Sequence, residues 1–158
     1  MPDLRIGYGW DSHEFVAGRP LWLGGLKVEH SAGLGGHSDG DVLLHAVCDA
    51  LLGALALDDI GTHFPSSDPQ WKDAASSAFV LHALKLVKAQ GWHVVNVDCT
   101  VILEKPRMQP LRAPLRAALA ELLEISIDRV SIKAKTPEGM GTAHAAIAHA
   151  IALLGKDE

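Results

Sequence analysis

Cysteine is scarce in this chain of 158 residues: only Cys48 and Cys99 occur. They form no CxxC pair and are too few for a disulfide scaffold, which points to a reduced, cytoplasmic setting. Excess positive charge is missing as well. The formal net charge is -5, which argues against a nucleic-acid partner but leaves room for one small anionic ligand held by local cations or metals. There is no long apolar run. The stretch AAIAHAIALLG is too short to cross a bilayer and carries His149, so no membrane partner is expected. The N-terminal MPDLRIGYG lacks a basic region followed by an apolar one, so no secretory leader is expected. Repeats, linkers and low-complexity segments are also lacking. What is present is 48% hydrophobic residues, enough for a real core, expected as one domain over 1–158.

Apolar alternation in LRIGYGW reads as a strand, with Leu4, Ile6, Tyr8 and Trp10 in one row. Trp10 and Phe15 are read as core residues. LWLGGLKVEH reads as a hairpin about Gly24-Gly25. SAGLGGHSDGD reads as a glycine-rich loop, with Ser38 and Asp39 as helix N-cap candidates for a helix over roughly 41–56. LDDIGTHFPSSDP reads as a turn. A second helix is expected from about Trp71 to Gln90, closed at Gly91. HVVNVDCTVIL reads as a strand with Val95, Val97, Cys99, Val101 and Leu103 on one face. A third helix is expected near 114–123, and VSIKAK as a strand. In AAIAHAIALL the strict alternation of Ile147, His149, Ile151 and Leu153 with alanines predicts a strand whose alanine face lies under a close-packed helix. Strands alternating with helices predict one sheet and one helical layer.

The chemistry starts at GWDSHEF. Asp11 and His13 are two apart and point to the same side of a strand. In HSDGDVLLHAVCDA, the residues His37, Asp41, His45 and Asp49 recur every four positions, and from Asp41 onward they share one helix face. Apolar Leu43, Leu44, Val47 and Leu51 flank that stripe, so it must meet something polar. A lone histidine on a helix is usually a surface or satisfied core residue. Two imidazoles and one carboxylate, Asp11, His13 and His45, are instead the donor set of a catalytic zinc with one open position. Asp41 and Asp49 are expected as acceptors that orient the ligating imidazoles.

Three further stretches carry less. In IKAKTPEG, Lys133 and Lys135 share a strand face leading into Thr136-Pro137-Glu138, a set able to hold phosphate oxygens and Mg²⁺. LEKPRMQP and DDIGTHFPSSDP read as loops that serve either as pocket walls or as plain connections.

RIGYGWDSHEF, HSDGDVLLHAVCDALLGALALDDIGTHFP, NVDCTVILEKPRM and IKAKTPEG, in this order, resemble the 2-C-methyl-D-erythritol 2,4-cyclodiphosphate synthases of the non-mevalonate isoprenoid route. The resemblance implies an α+β fold: one mixed β-sheet covered on one face by helices, in a ferredoxin-like βαβ arrangement, plus a β-hairpin. It also implies a cytoplasmic homotrimer with active sites at subunit interfaces. The implied reaction turns 4-diphosphocytidyl-2-C-methyl-D-erythritol 2-phosphate into the 2,4-cyclodiphosphate with release of CMP, a phosphorus–oxygen lyase step. Asp11, His13 and His45 match the ligands of Zn²⁺ or another divalent transition metal, and Glu138 matches a ligand of Mg²⁺ or Mn²⁺. His37 and Thr136 match the positions credited with steadying the transition state. Asp11, Ser12, His13, His37, Ser38, Asp59, Ile60, Gly61, Phe64, Ser66 and Asp68 match contacts to the metal-bound, erythritol side of the substrate. Pro106, Arg107, Met108, Lys135, Thr136 and Pro137 match the cytidine and phosphate pocket.

Some positions depart from the family pattern. Ser66 stands where aspartate is usual, Arg107 where lysine is common, and Gln109 where leucine is common. The segment after Glu138 is shorter than usual and lacks its Gly-Phe and arginine. Two other readings of the same residues stay open: a zinc-dependent phosphohydrolase, and a trimeric structural zinc module.

Overall fold

A computed structural model describes residues 3–156. Strand β1 (Asp3–Ala17) leads into the hairpin β2 (Leu21–Leu23) and β3 (Leu26–Val28), then β4 (Ala32–Leu34). Helix α1 (Val42–Ala54), the single-turn α2 (Ile60–His63) and α3 (Ser76–Ala89) follow. Strand β5 (His93–Ile102), helix α4 (Arg112–Leu123), β6 (Val130–Lys135) and β7 (Ala145–Lys156) complete the chain. The main sheet has five strands in the order β4-β1-β7-β5-β6, and β2-β3 form a separate pair. Only β5 and β6 run parallel, joined through α4; the other neighbours are antiparallel. The sheet is therefore mixed, with helices packed on one face, as the resemblance implies.

Small residues decide which face the helices take. Ala146, Ala148, Ala150 and Ala152 of β7 are at most 1% exposed, and α1 packs across β1 and β7. The predicted alanine face under a helix is thus present. On β1 the packed residues are Gly7 and Gly9, where an added Cβ would meet the α1 backbone. Leu4, Ile6, Tyr8 and Trp10 therefore lie on the opposite, exposed face. The expectation that Trp10 belongs to the core is corrected; Phe15 packs half-buried against it. Helix α1 is enclosed between the sheet and α3, and Val42 through Cys48 are all buried. Each of its buried leucines contributes about 1.5–3 kcal/mol.

Four local expectations also change. The stretch SAGLGGHSDGD contains β4, so it is not wholly loop. The α1 N-cap is Asp41, whose carboxylate accepts from the Leu44 amide, rather than Ser38 or Asp39. The helix expected from Trp71 begins at Ser76, after a short 3-10 turn over Pro69–Trp71; its end is as expected, with Gly91 at φ +77°. In β5 the register against β7 shifts between Val94 and Asn96, so Val94 joins Val97, Cys99, Val101 and Leu103 in the buried row while Val95 drops out of it.

Candidate metal centre and active-site clefts

Asp11 and His13 project from one side of β1, as the two-residue strand period requires, and His45 faces them from the first turns of α1. Asp11 Oδ2 lies 2.8 Å from His13 Nε2 and 2.9 Å from His45 Nδ1, and the two ring nitrogens are 3.0 Å apart. Both imidazoles thus aim a nitrogen at one oxygen and at each other. Protons alone serve such a triangle poorly, because two N–H groups would oppose at 3.0 Å. A divalent cation satisfies all three atoms, and the edges approach the roughly 3.3 Å expected for tetrahedral N and O ligands at 2.0–2.1 Å. Among the described residues this is the one cluster of three such groups close enough to hold an ion. Burial alone would raise the Asp11 carboxyl, but hydrogen bonds and attraction from His13 and His45 outweigh it and bring it down to about 2.

The triad opens into a cleft of about 220 Å³ lined also by His37, Ser38, Ile60, Gly61, Phe64, Ser66, Trp71 and Phe79. Phe64 stacks on Phe79 at 4.3 Å and meets Trp71 edge-on at 5.0 Å, giving the cleft an aromatic wall. His37 Nε2 donates to the Asp68 carbonyl at 3.2 Å, while Arg19 donates to the Gly36 and Ser38 carbonyls on either side of His37. Asp59 caps α2 through Thr62, and the Asp68 carboxylate caps the 3-10 turn through Gln70. Ser12 does not join the cleft: its side chain is exposed on the other face of β1.

A second cleft, of about 350 Å³, is lined by Leu103, Glu104, Pro106, Arg107, Met108, Gln109, Arg112, Ala134, Lys135 and Thr136. It gathers the loop after β5 and the end of β6. Among the described residues none lines both clefts. Pro137 is buried behind this end. The Glu138 carboxylate accepts from the Thr136 hydroxyl and lies apart from the triad cluster. Lys133 does not face this cleft; it pairs with Asp98 at 2.6 Å on the surface.

The residues that hold the imidazoles differ from those expected. The Asp41 carboxylate is fully buried and accepts from the amides of Gly24 at 2.9 Å, Gly25 at 2.7 Å and Leu44 at 3.1 Å. Its bonds go to these amides, and the ring nitrogens of His45 meet other groups. Asp49 accepts from the Ile60 amide at 2.7 Å and so anchors α2; burial raises its carboxyl above the ordinary value. The outer nitrogen of His45 instead meets Ser76 Oγ at 2.8 Å and Ser38 Oγ at 3.1 Å. Ser76 carries no sequence signal, since it is one of several small residues around the start of a helix. From sequence, Phe79 is legible only as an apolar position of the second helix and Trp71 only as its expected start.

A mixed sheet and its packed helix that bring a carboxylate and two imidazoles together at a cleft define the class: an α+β enzyme with a candidate divalent-metal centre. The sequence profile of the YgbB family matches residues 4–155, and the chain belongs to the YgbB family, that of the cyclodiphosphate synthases. A 2-C-methyl-D-erythritol 2,4-cyclodiphosphate synthase from Koribacter versatilis (strain Ellin345) is 50% identical over 153 residues, covering 97% of this chain and 99% of that protein. A bifunctional enzyme IspD/IspF from Erythrobacter litoralis (strain HTCC2594) is 56% identical over 144 residues; the match takes in 89% of this chain but 37% of that protein's length. A solved structure of 2C-methyl-D-erythritol-2,4-cyclodiphosphate synthase in a CDP-bound form is similar at a TM-score of 0.90 and 41% identity, covering 95% of this chain and 99% of that one.

Proposed function

We propose that this chain converts 4-diphosphocytidyl-2-C-methyl-D-erythritol 2-phosphate to 2-C-methyl-D-erythritol 2,4-cyclodiphosphate and CMP, as a phosphorus–oxygen lyase of non-mevalonate isoprenoid biosynthesis. The single observation that carries this is the pair of clefts: one built for a cation, the other lined by Arg107, Arg112 and Lys135. A nucleoside diphosphate ester needs both. The names of the relatives and the CDP-bound neighbour support the assignment.

Asp11, His13 and His45 would hold Zn²⁺ or another divalent transition metal, and Glu138 would hold Mg²⁺ or Mn²⁺. Bound there, such ions supply positive charge that lowers repulsion between the two phosphate groups. The chain's own residues do the rest. An oxygen of the 2-phosphate forms a bond to the β-phosphorus, the bond from that phosphorus to the bridging oxygen breaks, and CMP leaves with the electron pair. No water or enzyme nucleophile enters. Attack within one molecule gains from positioning, which falls to Ser38, Asp59, Ile60, Gly61, Phe64, Ser66 and Asp68 on the erythritol side. Pro106, Arg107, Met108, Lys135 and Pro137 hold the cytidylyl side. His37, on a loop held by Arg19, donates to phosphate oxygens as charge builds, once its Nε2–H exchanges its bond to the Asp68 carbonyl. Thr136 does the same once its hydroxyl exchanges its bond to Glu138. The wall of Phe64, Trp71 and Phe79 keeps water from diverting the phosphorus.

The reading also takes 1–158 as one catalytic domain, whose first and last two residues lie outside the described ones, and makes it a cytoplasmic homotrimer. Support for the trimer is the outer sheet face, where Leu4, Ile6, Tyr8, Trp10 and Ile151 are each more than 40% exposed. A neighbouring copy would bring its Arg107 and Lys135 cleft against the Asp11 cleft. The experiment is incubation with the cytidylyl substrate, followed by phosphorus NMR. Equal CMP and cyclic diphosphate are expected, with His45→Ala slower by at least about 100-fold. Inorganic phosphate without cyclic product would make the chain a phosphohydrolase; zinc uptake with no CMP would make it a structural module.

A further inference from the structure

We infer that Ser76, gripped by Asp39, fixes the ring proton of His45 on Nε2 and so turns the Nδ1 lone pair toward the metal. The inference rests on the metal-centre reading above and adds two positioning residues that touch neither ion nor substrate.

A count of donors carries it. The Ser76 hydroxyl donates its one proton to Asp39 Oδ1, while the Ser76 amide donates to Asp39 Oδ2 at 3.0 Å. Both carboxylate oxygens therefore hold the same serine. With its proton engaged, Ser76 Oγ can only accept, and it stands 2.8 Å from His45 Nε2. That ring nitrogen carries hydrogen, and with a cation in the triad Nδ1, 2.9 Å from Asp11 Oδ2, is left with its lone pair. Ser38 Oγ, at 3.1 Å from the same nitrogen, accepts from the Gly40 amide at 3.3 Å and has Ser76 Oγ at 3.4 Å as an outlet for its own proton. Neither hydroxyl is required to donate to Nε2. Water has little access, since Ser76 is 0%, Ser38 5% and His45 8% exposed.

The direction of the chain of bonds matters as much as its existence. A carboxylate behind a hydroxyl, behind an imidazole N–H, draws the proton outward and enriches the opposite nitrogen as a ligand. Asp39 is itself fixed: its oxygen accepts from the Asp41 amide at 3.1 Å, and its own amide donates to the Ala74 carbonyl at 3.0 Å. The start of α3 thereby sets the tautomer of a residue on α1.

The test compares full-length wild type with Ser76→Ala, Asp39→Asn and Ser77→Ala, the last a neighbouring serine that lines neither cleft. Zinc affinity is read by chelator competition, and the His45 tautomer by nitrogen-15 NMR of the zinc-loaded chains. Expected are metal on Nδ1 and a proton on Nε2 in wild type, and zinc binding weaker by about 10- to 100-fold in Ser76→Ala. Asp39→Asn should weaken it by about 10-fold, with Ser77→Ala unchanged. The Nε2 proton signal of Ser76→Ala should move upfield as the nearer of its two acceptors is lost. Should Ser76→Ala not fold, Asp39→Asn carries the same two readouts. Unchanged zinc affinity in a folded variant, or a His45 proton on Nδ1, overturns the inference. A wild-type chain that takes up no zinc overturns the metal centre itself.

Discussion

Gly9 of β1 sits directly beneath Ala46 of α1: a Cβ on Gly9 would lie 1.8 Å from the Ala46 carbonyl oxygen. Gly7 stands in the same relation to Ala50, at 1.9 Å. Asp11 follows two residues after Gly9, and His45 immediately precedes Ala46. This contact therefore sets the distance between the two ligands. Gly9→Ala forces the helix off the strand, at about 3 kcal/mol or more, and zinc binding should fall with stability. Gly53→Ala, on the exposed side of α1 with only an ordinary contact at 3.8 Å, should instead stabilise by up to about 1 kcal/mol. Urea unfolding and zinc titration of the two variants check this.

If the two clefts complete one another between copies, two dead enzymes can make a live one. His45→Ala removes one half of the site and Lys135→Ala the other. Each alone should be nearly inactive. Unfolded together and refolded as mixed oligomers, they should regain about one quarter of wild-type turnover, the chance that a good half meets a good half. Recovery of CMP release on mixing is the measurement.

The Asp11 carboxyl, held down to about 2 against an ordinary 3.8, ties stability to acid. Across that window the unfolded chain binds more protons at this site than the folded one, so stability rises with pH. The contribution is complete above about pH 4 and is lost as pH falls through about 2. In the metal-free protein, Asp11→Asn should flatten the acid limb of a thermal-melt series between these values.

Both thiols are buried, and burial pushes them up, Cys99 to about 12 and Cys48 further. A thiolate is the reactive form. An alkylating reagent at pH 8 should label neither cysteine in the native chain and both after denaturation, as read by intact mass.

Strand period and donor chemistry were enough to pair Asp11 with His13, and alternation was enough to find β7. Trp10 reads as core because it closes an apolar row with Leu4, Ile6 and Tyr8, yet that row faces outward. Only the glycines between them mark the packed side, and a glycine's lack of bulk signals nothing without knowing what approaches it. Asp41 was misassigned for a related reason. Its helical spacing to His45 is correct, but the amides of a distant hairpin compete for its oxygens. Ser76, 31 residues from His45, had no local pattern to betray it. The second cleft was legible chiefly through the family resemblance.

Asp41 has a consequence for how the molecule comes apart. A ribbon of two three-residue strands cannot persist by itself, and the carboxylate that starts α1 is also what fastens its turn. Ribbon and helix start are thus one opening unit, so the Gly24 and Gly25 amides should exchange hydrogen in step with that of Leu44. A surface ornament by size, the hairpin is a gauge of whether the interior helix is intact.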